Sequence, residues 1–498
     1  MKIQKLVFFA LLTLPISFLF SEEPPTKQYR ESELRKSIVQ VRITAQAPNY
    51  YMPWRPKKPH TQMAVGIVVE GQRILALTSY LKNYTLIEVK KFSSYTPSPA
   101  LPVRVDYESN LSLLSIKDPD FFKDLKPLTF KGSIELMKTV SIVQLDNAGA
   151  IQEANGKVNA IDMEKYGMGH TDLPYLNIVS EEKHRGNGEL IINGQGAIGL
   201  LHNFYVRKNS GKAIPGFIIQ RFLEQIDKVN GSPFSHLGFS YRPLTDNATK
   251  EYFGLSNSQN GVLITEIIPY SSAEEILEVD DIVTEFGNKA IDSRGYFQHP
   301  NFDKQSLAYL SNCGDEFGFS LHSELPLKVI RNKKEYEFKL KLEPFPYKAI
   351  KIPYKNYQGK NPDYLIRGGF VFLDLSEFLL KEWGLRWRSK INKKLLYLHD
   401  YHKYHKPGEE GKFVILSQVF PDISNNGYHH ISMKIVEKVN GRPVHSVRDI
   451  DRLFDDSSEN FISIEVDNEM DIILDKRNLP VIDKRIQKQF GIKKLKNF

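Results

Sequence analysis

Residues 183–200 concentrate the positions best suited to chemistry: Lys-His-Arg-Gly-Asn-Gly-Glu runs into an apolar stretch, a Gly-rich hairpin and a second apolar stretch. Gly186 and Gly188 permit positive φ, so a loop here can aim successive backbone N–H groups at one point. That arrangement stabilises a developing oxyanion. A nucleophile on such a turn also needs a base to take its proton and a third group to orient the base. His170, His184 and His202 lie in the same block, with Ser180 and Asp172 nearby. A His184/Ser180 pair is one reading; loop residues without a special role are the other. A second cluster, His399, His402 and His405, has a spacing that would let adjacent pairs on a helix share a metal. Lys403 and Lys406 crowd it with positive charge and residues 407–411 read as a loop. A solvated helix end is therefore expected, His429-His430 is read the same way, and neither a metal nor another cofactor is assigned.

These residues need a scaffold. At 498 residues the chain is too long for one core, so several domains are expected. Its 41% hydrophobic and 25% charged content is ordinary for a soluble globular protein. The +8 charge is spread along the chain with no accompanying nucleic-acid motif, so no nucleic-acid partner is expected. Basic stretches at 331–339 and 484–496 read as solvated faces and a tail. Lys2 and Lys5, the apolar run 6–20 and Ser21 read as a secretory signal over 1–21. No later stretch is apolar enough to span a membrane. The single cysteine, Cys313, cannot form an internal disulfide. Export without disulfides suits a bacterial periplasmic or secreted protein.

Short apolar strands with turn residues between them follow at 38–43, 64–69, 74–78, 86–89, 101–105, 111–116 and 140–143, indicating an all-β barrel or sandwich. Residues 217–226 have the apolar spacing of an amphipathic helix. After Asn230-Gly231-Ser232-Pro233 a second unit holds strands at 261–267 and 280–286 and a short helical stretch at 272–275, ending near 342. A third unit runs from about 368 through 413–419, 434–441, 461–466 and 471–475. The last two units share a pattern of strand, short helix and strand, a weak internal repeat.

Taken together, the chain resembles the HtrA/Deg family of serine proteases. The resemblance is firmest in Leu237-Gly238-Phe239, 261–264, 280–283, 369–373, 414–419 and 438–441, and is closest to the plant-type Deg branch. It implies a mostly β chain: a trypsin-like double β-barrel (22–232) followed by two PDZ-like α+β domains (233–345 and 346–498). The family's catalytic His position carries Leu81 (or Tyr80, one register off), and its Asp position carries Asn110. The Ser position carries Gly186 without a gap, or Asn187 with a one-residue shift. Neither Gly nor Asn supplies the nucleophile, and Leu cannot accept a proton. Glu189 places a carboxylate beside the turn that should hold an anion. The expected function is that of an exported pseudoprotease that binds peptides or unfolded proteins, with a chaperone-like or scaffolding role. The alternative is an active serine endopeptidase with a displaced triad. By resemblance, Leu237, Gly238 and Phe239, and in the third unit Gly369 and Phe370, would capture an extended peptide and its terminal carboxylate. The second PDZ would pack against neighbouring subunits in a trimer-based homo-oligomer.

Overall fold

The computed structural model describes residues 31–355, 361–406, 409, 411–467 and 470–498; the expected signal segment lies outside them, as do 407, 408 and 410 of the loop after His405. A short helix, α1 (Glu31–Ser37), leads into β1 (Ile38–Ala45), β2 (His60–Val69), β3 (Arg73–Leu77), β4 (Tyr84–Lys90), β5 (Ser98–Asp106) and β6 (Leu111–Ile116). These close into a barrel in the order β1-β2-β3-β6-β5-β4. Alternation along β1 shows why: Val41, Ile43 and Ala45 are buried while Arg42 faces out. The second closed barrel comprises β7 (Thr139–Leu145), β8 (Ile151–Lys165), β9 (Asp172–Val179), β10 (Glu189–Asn193), β11 (Gly196–Tyr205) and β12 (Ser210–Pro215). The helix expected at 217–226 is α2 (Gly216–Gln225), which buries Ile218, Ile219 and Phe222.

The next unit is an open sheet with an edge strand, β13 (Phe239–Pro243), followed by α3 (Asn247–Tyr252), β14 (Val262–Ile267), β15 (Ile282–Phe286) and β16 (Lys289–Ala290). A hairpin of β17 (Tyr296–His299) and β18 (Asp303–Ser306) precedes α4 (Leu307–Cys313), β19 (Glu324–Arg331) and β20 (Lys334–Lys341). The main order is β13-β14-β15-β19-β20. Residues 272–275 form turns rather than the expected helix. The Glu274 N–H donates to the Ser271 carbonyl at 3.1 Å and the Ile276 N–H to the Ala273 carbonyl at 3.2 Å, the three-residue spacing of successive turns. One continuous apolar core runs from both barrels through Phe222 and Phe234 to Phe286 and Leu310 of this unit.

The last unit contains β21 (Tyr364–Arg367), β22 (Phe370–Asp374), α5 (Glu377–Leu380), α6 (Trp387–Lys390), α7 (Lys393–Tyr401), β23 (Val414–Val419), β24 (Lys434–Val439) and β25 (Arg442–Pro443). It ends with α8 (Val447–Asp456), β26 (Phe461–Val466), β27 (Met470–Asp475), α9 (Leu479–Phe490) and β28 (Lys496–Asn497). Its main order is β27-β26-β24-β23-β22-β21-β28. The β1–β2 connection straps this unit to the first barrel. Tyr50 stacks on Phe378 at 5.0 Å, Tyr51 meets Trp383 at 5.4 Å and Trp54 meets Phe420 at 5.2 Å. Gln418 Nε2 donates to the Tyr51 carbonyl at 3.0 Å.

Candidate functional site

The turn before β10 is wrapped around a side chain of its own. Glu189 Oε1 accepts the Arg185 N–H at 2.7 Å and the Gly186 N–H at 3.2 Å, and Oε2 accepts the Asn187 N–H at 2.8 Å. The carboxyl is fully buried; burial pushes its pKa up, against the pull of these N–H groups. The donors that could hold an oxyanion are therefore spent internally. Gly186 has φ +67°, and a Cβ there would sit 2.6 Å from Asn203 Cα. Gly188 has φ +100°, and a Cβ there would sit 2.9 Å from the Val65 carbonyl oxygen. Neither position admits a side chain in this backbone. Asn187 does, but its side chain is buried and Nδ2 donates to the Met63 carbonyl at 3.0 Å.

The two partner positions are equally inward. Leu81 is buried in the first barrel's apolar core. Tyr80 is half-buried beside Arg185 and Glu189, with burial and the Glu189 charge raising its pKa. Asn110 sits at φ +58°, a conformation Asn tolerates better than most residues. Its Oδ1 accepts the Ser79 N–H at 2.8 Å and its carbonyl accepts the Thr78 N–H at 2.9 Å. Asn110 thus pins the 78–81 turn to the barrel and is not bonded to an imidazole.

The histidines of this block serve packing. His184 Nε2 and Ser180 Oγ are 2.9 Å apart, but Ser180 Oγ donates to the Asn155 carbonyl at 2.8 Å. A hydroxyl has one proton, so His184 is the donor and cannot act as the serine's base. The buried Nδ1 of His184 has no hydrogen-bond partner among the described residues, so no carboxylate orients the ring as a triad would require. Burial lowers the pKa of His184, that of His170 to about 2 and that of His202 to about 3. Such imidazoles are poor bases at neutral pH. His170 instead stacks on Phe345 at 4.2 Å, and its Nδ1 lies 2.8 Å from Tyr354 Oη. Both aromatic residues belong to the segment joining the last two units. His399 bonds Glu377 at 2.7 Å and Asp400 at 2.8 Å. Among the described residues no group of three or more His, Cys, Asp or Glu is placed to hold a metal.

A cleft of about 590 Å³ runs along β13, between Ser240 and Tyr241 on one wall and Asp162, Lys165 and Tyr175 of the second barrel on the other. Among the described strands β13 pairs only with β14, leaving its other edge open. Leu237 and Phe239 are buried at its start, and Gly238 has φ +82°. A Cβ on Gly238 would meet Ala273 Cβ at 2.9 Å, so the loop's close approach requires glycine.

The third unit corrects the expectation for Gly369 and Phe370. Gly368 and Gly369, at φ +57° and +87°, form the two-residue turn of the β21–β22 hairpin. Positive φ at both positions is what such a tight hairpin demands. β22 pairs with β21 on one side and β23 on the other, so it has no edge for an added strand. β21 touches α8, where Arg367 reaches Asp451 at 3.4 Å and Asp455 at 3.0 Å. The Gly368 N–H is taken by Asp483 at 2.8 Å, and the Gly369 carbonyl by the Phe420 N–H at 2.7 Å. β21 thus lies along the side of β22 that an added strand would need.

Sequence reasoning missed the clamp at Glu108, which is fully buried. It accepts the N–H groups of His170 at 2.7 Å and Thr171 at 2.6 Å, and the Tyr347 hydroxyl at 2.5 Å. Nothing local marks it, because its partners lie 62 and 239 residues away. Glu189 could be flagged from its place in the turn, though not as the occupant of three N–H groups.

A PDZ-domain family profile matches residues 352–496. The chain is 25% identical over 459 residues to a putative protease Do-like 3, mitochondrial, of Arabidopsis thaliana, covering 92% of this chain and 78% of that protein. It is 25% identical over 483 residues to protease Do-like 2, chloroplastic, of the same plant, covering 95% and 77%. Among solved structures, the HtrA-type protease AlgW with decapeptide aligns at 13% identity and a TM-score of 0.47, covering 64% of this chain and 98% of that one.

Proposed function

We propose that this Deg/HtrA-like chain, whose resemblance to plant Do-like proteases runs along nine-tenths of its length, is a catalytically inactive member of that group that holds extended segments of unfolded proteins. The observation that carries this reading is the turn at 185–189. The N–H groups of Arg185, Gly186 and Asn187 are bound to Glu189, and of the two candidate serine positions only Asn187 can bear a side chain, which is no nucleophile. The open edge of β13 supports strand addition as the mode of binding, and the filled edge of β22 favours a structural or assembly role for the last unit. We divide the chain accordingly into 22–232, 233–345 and 346–498, and infer a trimer-based homo-oligomer, which light scattering tests directly.

Delivery across a membrane rests on residues 1–21. The named plant relatives are mitochondrial and chloroplastic, which does not support the bacterial periplasm expected from the sequence. Export is kept as the proposal, tested by the N-terminal sequence of the protein purified from its own source. Among the described residues no helix is long and apolar enough to cross a membrane.

The decisive assay incubates the purified mature chain with casein and with aggregating, reduced insulin. No casein cleavage together with suppressed insulin aggregation is expected. Cleavage abolished by a serine-directed phosphonate would overturn the inactive reading and restore the displaced-triad alternative.

A further inference from the structure

The loop at the head of the β13 cleft has lost a donor. In a loop that captures a chain terminus, successive N–H groups converge on the carboxylate. Here the Gly238 N–H points at His236 Nδ1, 2.9 Å away. That nitrogen is therefore the unprotonated one, and it takes the N–H that a carboxylate oxygen would otherwise accept. His236 is not free to swing aside. It is buried, its ring bonds the His170 backbone, and Phe345 meets its edge at 5.0 Å. Burial, reinforced by the Lys165 charge, lowers its pKa to about 3, so the imidazole is neutral at physiological pH. The cleft walls carry charges of both signs in balance. Three lysines and three carboxylates line it, and each lysine is engaged: Lys165 with Asp172 at 3.8 Å, Lys304 with Asp292 at 3.4 Å and Lys403 with Glu266 at 3.8 Å.

We propose that the β13 cleft takes internal, extended segments of unfolded chains and does not select chain termini, with His236 as the residue that sets this specificity. This inference rests on the peptide-binding reading above and specifies the class of segment bound. An added strand pairs through main-chain N–H and C=O groups, which any extended segment supplies. Walls whose charges balance favour neither an acidic nor a basic segment.

The test uses the full-length chain and a fluorescein-labelled decapeptide pool with Val, Ile, Leu or Phe at alternate positions. The pool is made in two forms, one ending in a free carboxylate and one in a carboxamide, and binding is read by anisotropy. Dissociation constants within about twofold of each other are expected. His236→Ala should tighten the carboxylate form alone, by about tenfold. Ser240→Trp, on the cleft wall, should abolish binding of both. If the carboxylate form binds the unaltered chain tenfold or more tightly, the inference falls while the peptide-binding reading stands. If neither form binds, both fall. Binding that survives Ser240→Trp puts the site elsewhere and overturns the inference. The comparison on the unaltered chain decides the question even if a variant fails to fold.

Discussion

At the scale of single residues, the turn at 185–189 shows how a chemical frame becomes a structural one. Restoring serine at the ungapped position should not restore chemistry, because Gly186 is held at φ +67° with Asn203 backbone 2.6 Å from any Cβ. Gly186→Ser should cost about 3 kcal/mol, combining a left-handed backbone penalty with overpacking. Asn187→Ser keeps the backbone and loses one bond to the Met63 carbonyl, costing about 1–2 kcal/mol. Urea denaturation of the two variants should separate them, and neither should cleave casein. A Gly186 variant as stable as Asn187→Ser would mean that the turn is not built as described.

At the scale of elements, short helices are held by ionisable pairs more than by their own length. α7 docks on α5 through His399, whose ring lies between Glu377 and Asp400. Burial opposes its charge, but the bonds to the two carboxylates prevail and its pKa is raised. A raised folded-state value stabilises fully below the ordinary histidine pKa of about 6.5, and that contribution is lost as pH rises through the folded value. Protection factors of the amides in 393–401, taken against intrinsic exchange at the same pH, should therefore fall on going from about pH 6 to pH 8, and His399→Gln should flatten that dependence. An unchanged profile in that variant would remove His399 from the explanation. His170, His202 and His236 act with the opposite sign. Their lowered values stabilise the fold above about pH 6.5 and lose that effect as pH falls towards about 3 for His202 and His236 and about 2 for His170.

At the scale of the whole molecule, two contacts tie distant stretches together. One is the Glu108 clamp on Tyr347, and the other is the aromatic strap of Tyr50, Tyr51 and Trp54 on the last unit. Trp54→Ala should weaken that docking by about 2 kcal/mol through lost aromatic burial. The barrels should remain folded while limited proteolysis opens sites around residues 361–390. Equal protection of that region in the variant and the parent would show the strap to be dispensable.

Much of the architecture was legible from local pattern. Alternation in β1, the turn glycines and the amphipathic spacing of α2 are properties of neighbours in sequence, set by side-chain period and backbone sterics. The short helix expected at 272–275 resolves into successive turns, whose three-residue bonds local pattern does not distinguish from a helical turn. What only tertiary structure decided depends on which distant groups meet. Gly368-Gly369 looks like a capture loop until β21, brought alongside β22, makes it a hairpin turn and leaves no free edge. Glu108 looks like any acidic residue until chain folding brings His170 and Tyr347 onto it. Glu189 lies beside its turn in sequence, yet only the folded turn aims three N–H groups at one carboxylate. A buried polar atom must find a partner, and the sequence does not say which one the fold will bring within reach.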